Sequence, residues 1–306
     1  MNAEPDRDLC ALLDQAVVLD PVILNGGLAV VPIVAARAAA DADLLEEARA
    51  EVTEVTDAGV VNVIRVRHAG TRLLLLLDGE EVVGAKQNRI FNASFLVPPG
   101  APTEIPVSCV EKGRWRARSE AFQASSRTVS LSVRTGKLKR VTASAVVSEA
   151  SSYDADQGAV WAEVDDHLRR TSVSSRTSAY ADAADAQAAA IEKQLPALTP
   201  RAGQVGFVAV RRDRLVSLEL LGSPALYARA WRKLSRGLLA EPPDLNGSST
   251  QAAEIASRSL EVLRSAPFVR KPAPGCGTSL HAATSQIVAG AIAHEGTVYH
   301  VLATSP

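Results

Sequence analysis

Between Arg72 and Arg118 the chain changes character every few residues, and that spacing limits its fold more than any other feature. Leu73 to Leu77 is a run of five leucines, closed by the turn signal Asp78-Gly79. Val82-Val83 follows two glutamates, Glu80 and Glu81. Ile90-Phe91 and Phe95-Leu96-Val97 come next, before a break at Pro98-Pro99-Gly100. A last apolar run, Ile105 to Val110, ends on Glu111-Lys112-Gly113-Arg114-Trp115. Parallel neighbours need a crossover of about a dozen residues or more, usually a helix, and none of these gaps holds one. The strands are therefore expected to pair antiparallel rather than in a doubly wound sheet.

The flanks extend that reading. Period-two alternation from Val52 to Val66 predicts two strands joined near Asp57-Ala58-Gly59. Further strands are expected at Leu28–Val34, Gly206–Val210, Leu215–Leu221, Ser285–His294 and Thr297–Leu302, the last two joined by the hairpin turn Glu295-Gly296. Apolar spacing and end signals predict a short helix or helical turn over Asp43–Ala50 and helices over Asp8–Leu19, Asp156–Arg169, Ala179–Leu195, Pro224–Leu239 and Gln251–Arg264, the last opened by Asn246-Gly247-Ser248-Ser249. The expected class is α+β, with a mainly antiparallel β-sheet core and several flanking helices, mostly in the C-terminal half. Residues 8–304 are expected to form a single α+β domain, with 1–7 a flexible N-terminal extension.

Hydrophobic residues make up 47% and charged residues 22% of 306, a globular composition long enough to bury a core. A net charge of −1 offers no global attraction for nucleic acid or an anionic membrane. Cys10, Cys109 and Cys276 are too few and too far apart for a disulfide framework or a zinc ribbon. The acidic, polar start argues against a signal peptide. No apolar run reaches the roughly 18–20 residues of a membrane span, so a soluble, cytoplasmic protein is expected.

Two clusters carry candidate chemistry. Glu80, Glu81, Lys86, Gln87, Asn88, Arg89 and Asn92 lie among apolar strands, where amides and a guanidinium need partners. Those partners are either each other, in a buried network, or a polar, anionic ligand that Arg89 would hold. Cys109, Glu111, Arg114 and Trp115 form the second cluster. Cys109 has no histidine near it in sequence and reads as a structural thiol. Glu111 either pairs with Arg114 at the strand end or acts as a general base, with Trp115 holding a ring. From Lys112 to Arg140 the charged residues are basic except Glu120, which reads as a solvated face. With almost no interleaved aromatics, that stretch argues against nucleic-acid binding. His68, His167, His281, His294 and His300 form no short ligand motif, so no metal is expected, and P-loop, Rossmann and nucleophile-elbow signatures are missing.

The segments DGEEVVGAKQNRIFNASFLVPPG and IPVSCVEKGRW resemble the ARG- and rhodanese-phosphatase-superfamily-associated protein domain family of bacteria and phages. The resemblance continues through Gln157 and Val160-Trp161, through Gly206 to Val210, and into the terminal hairpin with His300, nearly the whole chain. It implies an association with ADP-ribosylglycohydrolase and phosphatase-like proteins, and a part in NAD or ADP-ribose metabolism. It assigns no catalytic roles and names no cofactor. The expected site therefore follows from the residues themselves. Arg89 and Arg114 would hold a nucleotide or ADP-ribose-like anion, Gln87, Asn88 and Asn92 would read polar edges, Trp115 would stack, and Glu111 would be the base. The rival expectation is a non-catalytic accessory protein for an ADP-ribosylglycohydrolase-type partner, with the polar motifs as a structural network.

Overall fold

The computed structural model describes residues 5–24, 26–35, 38–56, 59–148, 152–244 and 249–306. Four residues of the expected extension, Asp57-Ala58 of one expected turn, and 246–248 of the signal before the last helix lie outside the described residues. Helix α1 (Arg7–Leu13) leads to β1 (Val17–Val18), β2 (Val22–Ile23), β3 (Ala29–Val34), β4 (Asp43–Leu44), β5 (Ala50–Glu54) and β6 (Val63–His68). The Arg72–Arg118 stretch supplies β7 (Leu74–Leu76), β8 (Glu80–Gly84), β9 (Arg89–Phe91), β10 (Phe95–Val97) and β11 (Thr103–Cys109). Strand β12 (Ala121–Thr128) is followed by α2 (Leu131–Val147), α3 (Gln157–Arg170) and α4 (Tyr180–Gln194). Then come β13 (Gln204–Arg211), β14 (Arg214–Leu221), α5 (Pro224–Leu239) and α6 (Ala252–Ser265). The chain closes with β15 (Val269–Pro272), β16 (Thr278–Ala283), β17 (Val288–His294) and β18 (Thr297–Thr304).

The class is α+β and mainly antiparallel, as the strand spacing requires; among the described residues the one parallel pair joins β4 to β7. Six strands close a barrel in the order β11-β6-β5-β12-β8-β9. Closure depends on two strands that change partner along their length. Strand β11 pairs with β6 through Thr103–Pro106 and then with β9 through Val107–Cys109. Strand β12 pairs with β5 at Ala121–Phe122 and with β8 from Phe122 onward. The other large sheet runs β1-β3-β13-β14-β18-β17-β16-β15, with β2 also on β3.

The leucine run explains how the two layers meet. Leu74 and Leu76 join the barrel's core with Val82, Phe91 and Val107. Leu75 and Leu77 point the other way, into a core with Phe207 and Ile292 of the large sheet and Leu234 of α5. Both faces of β7 are covered, so no polar residue alternates. The opposite face of the large sheet packs under α1 and α6, through Leu9, Leu12, Ala256 and Leu263.

Three expectations need correction. The first helix stops at Leu13, because Val17-Val18 pairs with Ile33-Val34 instead of extending the helix to Leu19. Asp43-Leu44 is a strand on β7 and Ala50 already belongs to β5, so of the expected short helix or helical turn only a turn at 45–47 is present. The largest correction concerns the basic stretch after Trp115. It contains α2, in which Arg134 and Lys137 are fully buried with Val133, Leu138 and Val141. A helix that buries two cations beside its aliphatic residues shows no clean apolar period, so the pattern does not betray it.

Arg134 donates to both oxygens of Glu219 on β14, at 2.9 and 2.6 Å. Lys137 donates to Asp78 and to the Asn92 carbonyl, both at 2.7 Å. Gly79, at φ +68°, lets Arg134 pass: a Cβ there would lie 2.5 Å from Arg134 Cγ. Lys137→Met is expected to cost about 3–5 kcal/mol in urea unfolding, because it leaves Asp78 buried with only Arg134 Nε, 3.6 Å away, as a cation. Exposed Arg169→Met, the control, is expected to cost about 0.5 kcal/mol or less.

Candidate functional site

The sequence-predicted residues divide into three places. In the closed ring of six strands, β9 and β5 stand opposite each other, so a contact between them crosses the lumen. Arg89 Nη2 makes that contact, 3.6 Å from Glu54 Oε1. Its Nη1 donates to Gln87 Oε1 at 3.0 Å and touches the Cys109 sulfur. Trp115, 49% exposed, lies over this group, its ring 5.7 Å from both the Arg89 guanidinium and Lys86 Nζ. Lys86, Gln87, Arg89, Cys109 and Trp115 are thus brought together. Burial pushes the Cys109 thiol up to about 11; Arg89 opposes that rise and Glu54 adds to it. A thiol so protonated is no nucleophile at neutral pH.

The second place is a clamp. Glu111 accepts from Arg114 Nη2 at 2.7 Å, Thr177 Oγ1 at 3.1 Å and the Asn88 amide at 3.4 Å. Arg114 donates to the carbonyls of Ala85, Arg116 and Gly84 at 2.7, 3.0 and 3.3 Å, and to Asn88 Oδ1 at 3.1 Å. Burial pushes the Glu111 carboxyl up, but Arg114, Thr177 and the Asn88 amide outweigh it and hold it below the usual range. Glu111 is therefore an ionised, three-times-bonded anchor, poorly placed as a base. Glu81 belongs to the same corner, accepting from Arg127 Nε at 2.8 Å and Asn88 Nδ2 at 3.4 Å. Glu80 points elsewhere, onto Lys233 of α5. Arg89 and Arg114 sit in separate networks, both buried, and the structure does not bring them to one shared anion position.

Asn92 occupies the third place. Its Nδ2 donates to the Tyr153 carbonyl and its Oδ1 accepts from Ser108, both at 2.8 Å. It lines an open groove of about 640 Å³ with Asn62, Ser108, Tyr153, Asp154 and Gln157. Gln157, the first residue of α3, brackets Cys109 like a neighbouring strand: its Oε1 accepts from the amide at 2.7 Å, and its Nε2 donates to the carbonyl at 2.9 Å.

Asn92 also lines an inner cavity of about 20 Å³, shared with Asp78, Ser94, Ser279, His281 and His300. There Ser94 Oγ lies 2.7 Å from His300 Nδ1, and His300 Nε2 lies 2.9 Å from Glu219. The order hydroxyl–imidazole–carboxylate resembles a nucleophile with its base. The cavity admits about one water, however, so the chain serves as a hydrogen-bond relay rather than a substrate site. Burial pushes the Glu219 carboxyl up, and Arg134 and His300 overturn that, bringing it to about 2. Burial, with Lys271 adding to it, pushes His281 down to about 4.

A model of the ARG and Rhodanese-Phosphatase-superfamily-associated Protein domain matches residues 16–304. The chain belongs to that family. No curated protein and no solved structure matches it. Within this associated-protein domain, Asp78, Asn92, Ser94, Ser108, Gln157 and His300 are polar residues of the groove and its inner cavity that the resemblance already contained. Tyr153, Asp154, His281 and Glu219 carried no motif-level signal, because ordinary residue types from distant strands meet there only on folding. Among the described residues no group of three or more His, Cys, Asp or Glu is placed to hold a metal, and no helix is long and apolar enough to cross a membrane.

The domain's buried groups set its acid response. His281 has a folded-state value of about 4 against an ordinary 6.5, so the unfolded chain binds the proton first. Stability is expected to fall between pH 6.5 and 4, by on the order of 3 kcal/mol at about 1.4 kcal/mol per unit. Glu219, about 2 against 4.5, adds a further loss as pH falls from 4.5 towards 2. Unfolding midpoints across pH are expected to show both limbs, and His281→Gln to flatten the upper one. In native protein a thiol reagent is expected to label Cys10 and Cys276, which are only partly buried, and to spare Cys109 until urea is added, as read by mass spectrometry.

Proposed function

We propose that the associated-protein domain binds a hydroxyl-rich ligand of the ribosyl or nucleoside class, including ADP-ribose and NAD, in the groove beside Asn92. The observation that carries this reading is the groove itself. At about 640 Å³ it matches the usual size of small-molecule sites. Its lining holds several amides and hydroxyls, the carboxylate of Asp154, and neither Lys nor Arg. A carboxylate accepts hydrogen bonds from sugar hydroxyls and repels phosphate, so the sugar or base enters and any phosphate faces outward. The family's named association with ARG and rhodanese-phosphatase proteins fits such a ligand.

Calorimetry with adenosine, ADP-ribose, NAD and inorganic phosphate tests this. The nucleosidic ligands are expected to release or absorb heat and phosphate alone is not. Asp154→Ala is expected to weaken binding about 10-fold or more, the effect of losing a hydrogen bond to a charged acceptor. Silence from all the nucleosidic ligands at millimolar concentration, or equal affinity in Asp154→Ala, would sink the proposal.

The second reading is an accessory module without a ligand, favoured by the closed Glu111–Arg114 clamp, whose carboxylate and Nη groups are bonded to protein. It predicts silent titrations together with co-elution of an ADP-ribosylglycohydrolase-type partner on size-exclusion chromatography.

A further inference from the structure

Most polar side chains around the groove are already spent on protein. Asn92 bonds to Tyr153 and Ser108, and Gln157 to both backbone groups of Cys109. The Tyr153 hydroxyl donates to the Pro272 carbonyl at 3.4 Å. Ser152 Oγ accepts from the Asp154 amide at 3.5 Å, and Asp154 Oδ1 from the Asp156 amide at 2.9 Å. Among the described residues of the lining, Asn62 alone carries a polar side chain with no hydrogen bond to protein. It is exposed, on the turn that leads into β6. Its backbone is fixed there, because its carbonyl accepts from the Val107 amide at 3.0 Å.

The backbone near Asn62 leaves a ligand few donors. Pro106, Pro272 and Pro274 line the groove and have no N–H to give. The Val107 amide is spent on Asn62, and the Ala273 amide on the Gly277 carbonyl at 3.3 Å. What the same stretch does present is apolar surface. Val63 and Pro106 face each other across the β6–β11 pair, both half-buried. Pro272 and Pro274, at and just beyond the end of β15, add two rigid rings. A flat base packed on the Val63–Pro106 rung would meet the free amide next to Val63. A carboxamide offers donors on its nitrogen beside an acceptor on its oxygen.

We infer that Asn62 selects the base of the ligand, pairing through its carboxamide with an edge that sets an amino group beside a ring nitrogen, as adenine does. Such selection presupposes the ribosyl or nucleoside reading of the groove. Side-chain carboxamides read adenine in this bidentate way on DNA. Neutral adenine suits the Val63–Pro106 rung better than the charged pyridinium of nicotinamide, whose burial against apolar side chains costs more. Asp154, from the segment before α3, has its second carboxylate oxygen left for the ribose hydroxyls.

Calorimetry on the full chain with adenosine, nicotinamide riboside and purine riboside, which is adenosine without its amino group, tests this. Adenosine is expected to bind about 2- to 10-fold more tightly than purine riboside, the effect of one neutral hydrogen bond. Nicotinamide riboside is expected to bind less tightly than adenosine. In Asn62→Ala, which removes a side chain that the protein itself does not use, the advantage of adenosine over purine riboside is expected to vanish. Asp154→Ala is expected to weaken both and keep that advantage. Three results would overturn the inference and leave the groove reading standing: equal binding of adenosine and purine riboside by the wild type, an undiminished advantage in Asn62→Ala, or a preference for nicotinamide riboside. Silence from all three nucleosides would overturn the groove reading and the role of Asn62 with it.

Discussion

The docking of barrel, α2 and large sheet depends on one buried set of charges. Asp78 comes from the turn before β8, Lys137 and Arg134 from α2, Glu219 from β14, and His300 from β18. Taking such ions out of water is costly, and their mutual attraction offsets that cost only when every one is paired with good geometry. The two oxygens of Glu219 meet both arms of Arg134, and Lys137 reaches Asp78 and a carbonyl at once. A shifted packing of α2 would strand at least one of these charges. The network thus selects a single arrangement of layers whose apolar contacts alone, mostly aliphatic, would tolerate several.

The same logic explains the acidic turn Asp78-Gly79-Glu80-Glu81. Each carboxylate takes a cation from a different element: Lys137 of α2, Lys233 of α5 and Arg127 of β12. In sequence such a turn reads equally well as a ligand site, because binding an ion and bracing a barrel call for the same residue types. The difference lies in whether the partners are supplied by protein. For Glu111 and Arg114 they are. Asn92, Ser108 and Gln157 in the groove are likewise bonded to protein, but there open space remains beside them.

Strand positions from β7 to β11 were legible because their apolar runs are bounded by Gly, Pro and Asp, and α5 because Pro224 starts it. Helix α2 was not legible. Its Arg134 and Lys137 look like surface residues in any composition count, and only the carboxylates brought to them by distant strands make their burial affordable. Burial of Cys109 was legible, whereas its contact with Arg89 was not. That contact needs the barrel to close and set β9 beside β11.

By itself, the sequence determined the class of fold and the direction of pairing. Strands a few residues apart leave no length for a crossover, and apolar period is a local property. Tertiary structure decided which polar residues are braces and which border open space. A side chain's partners depend on where other strands bring their charges, and Glu219 meets Arg134 across 85 positions of chain. No local pattern records that meeting.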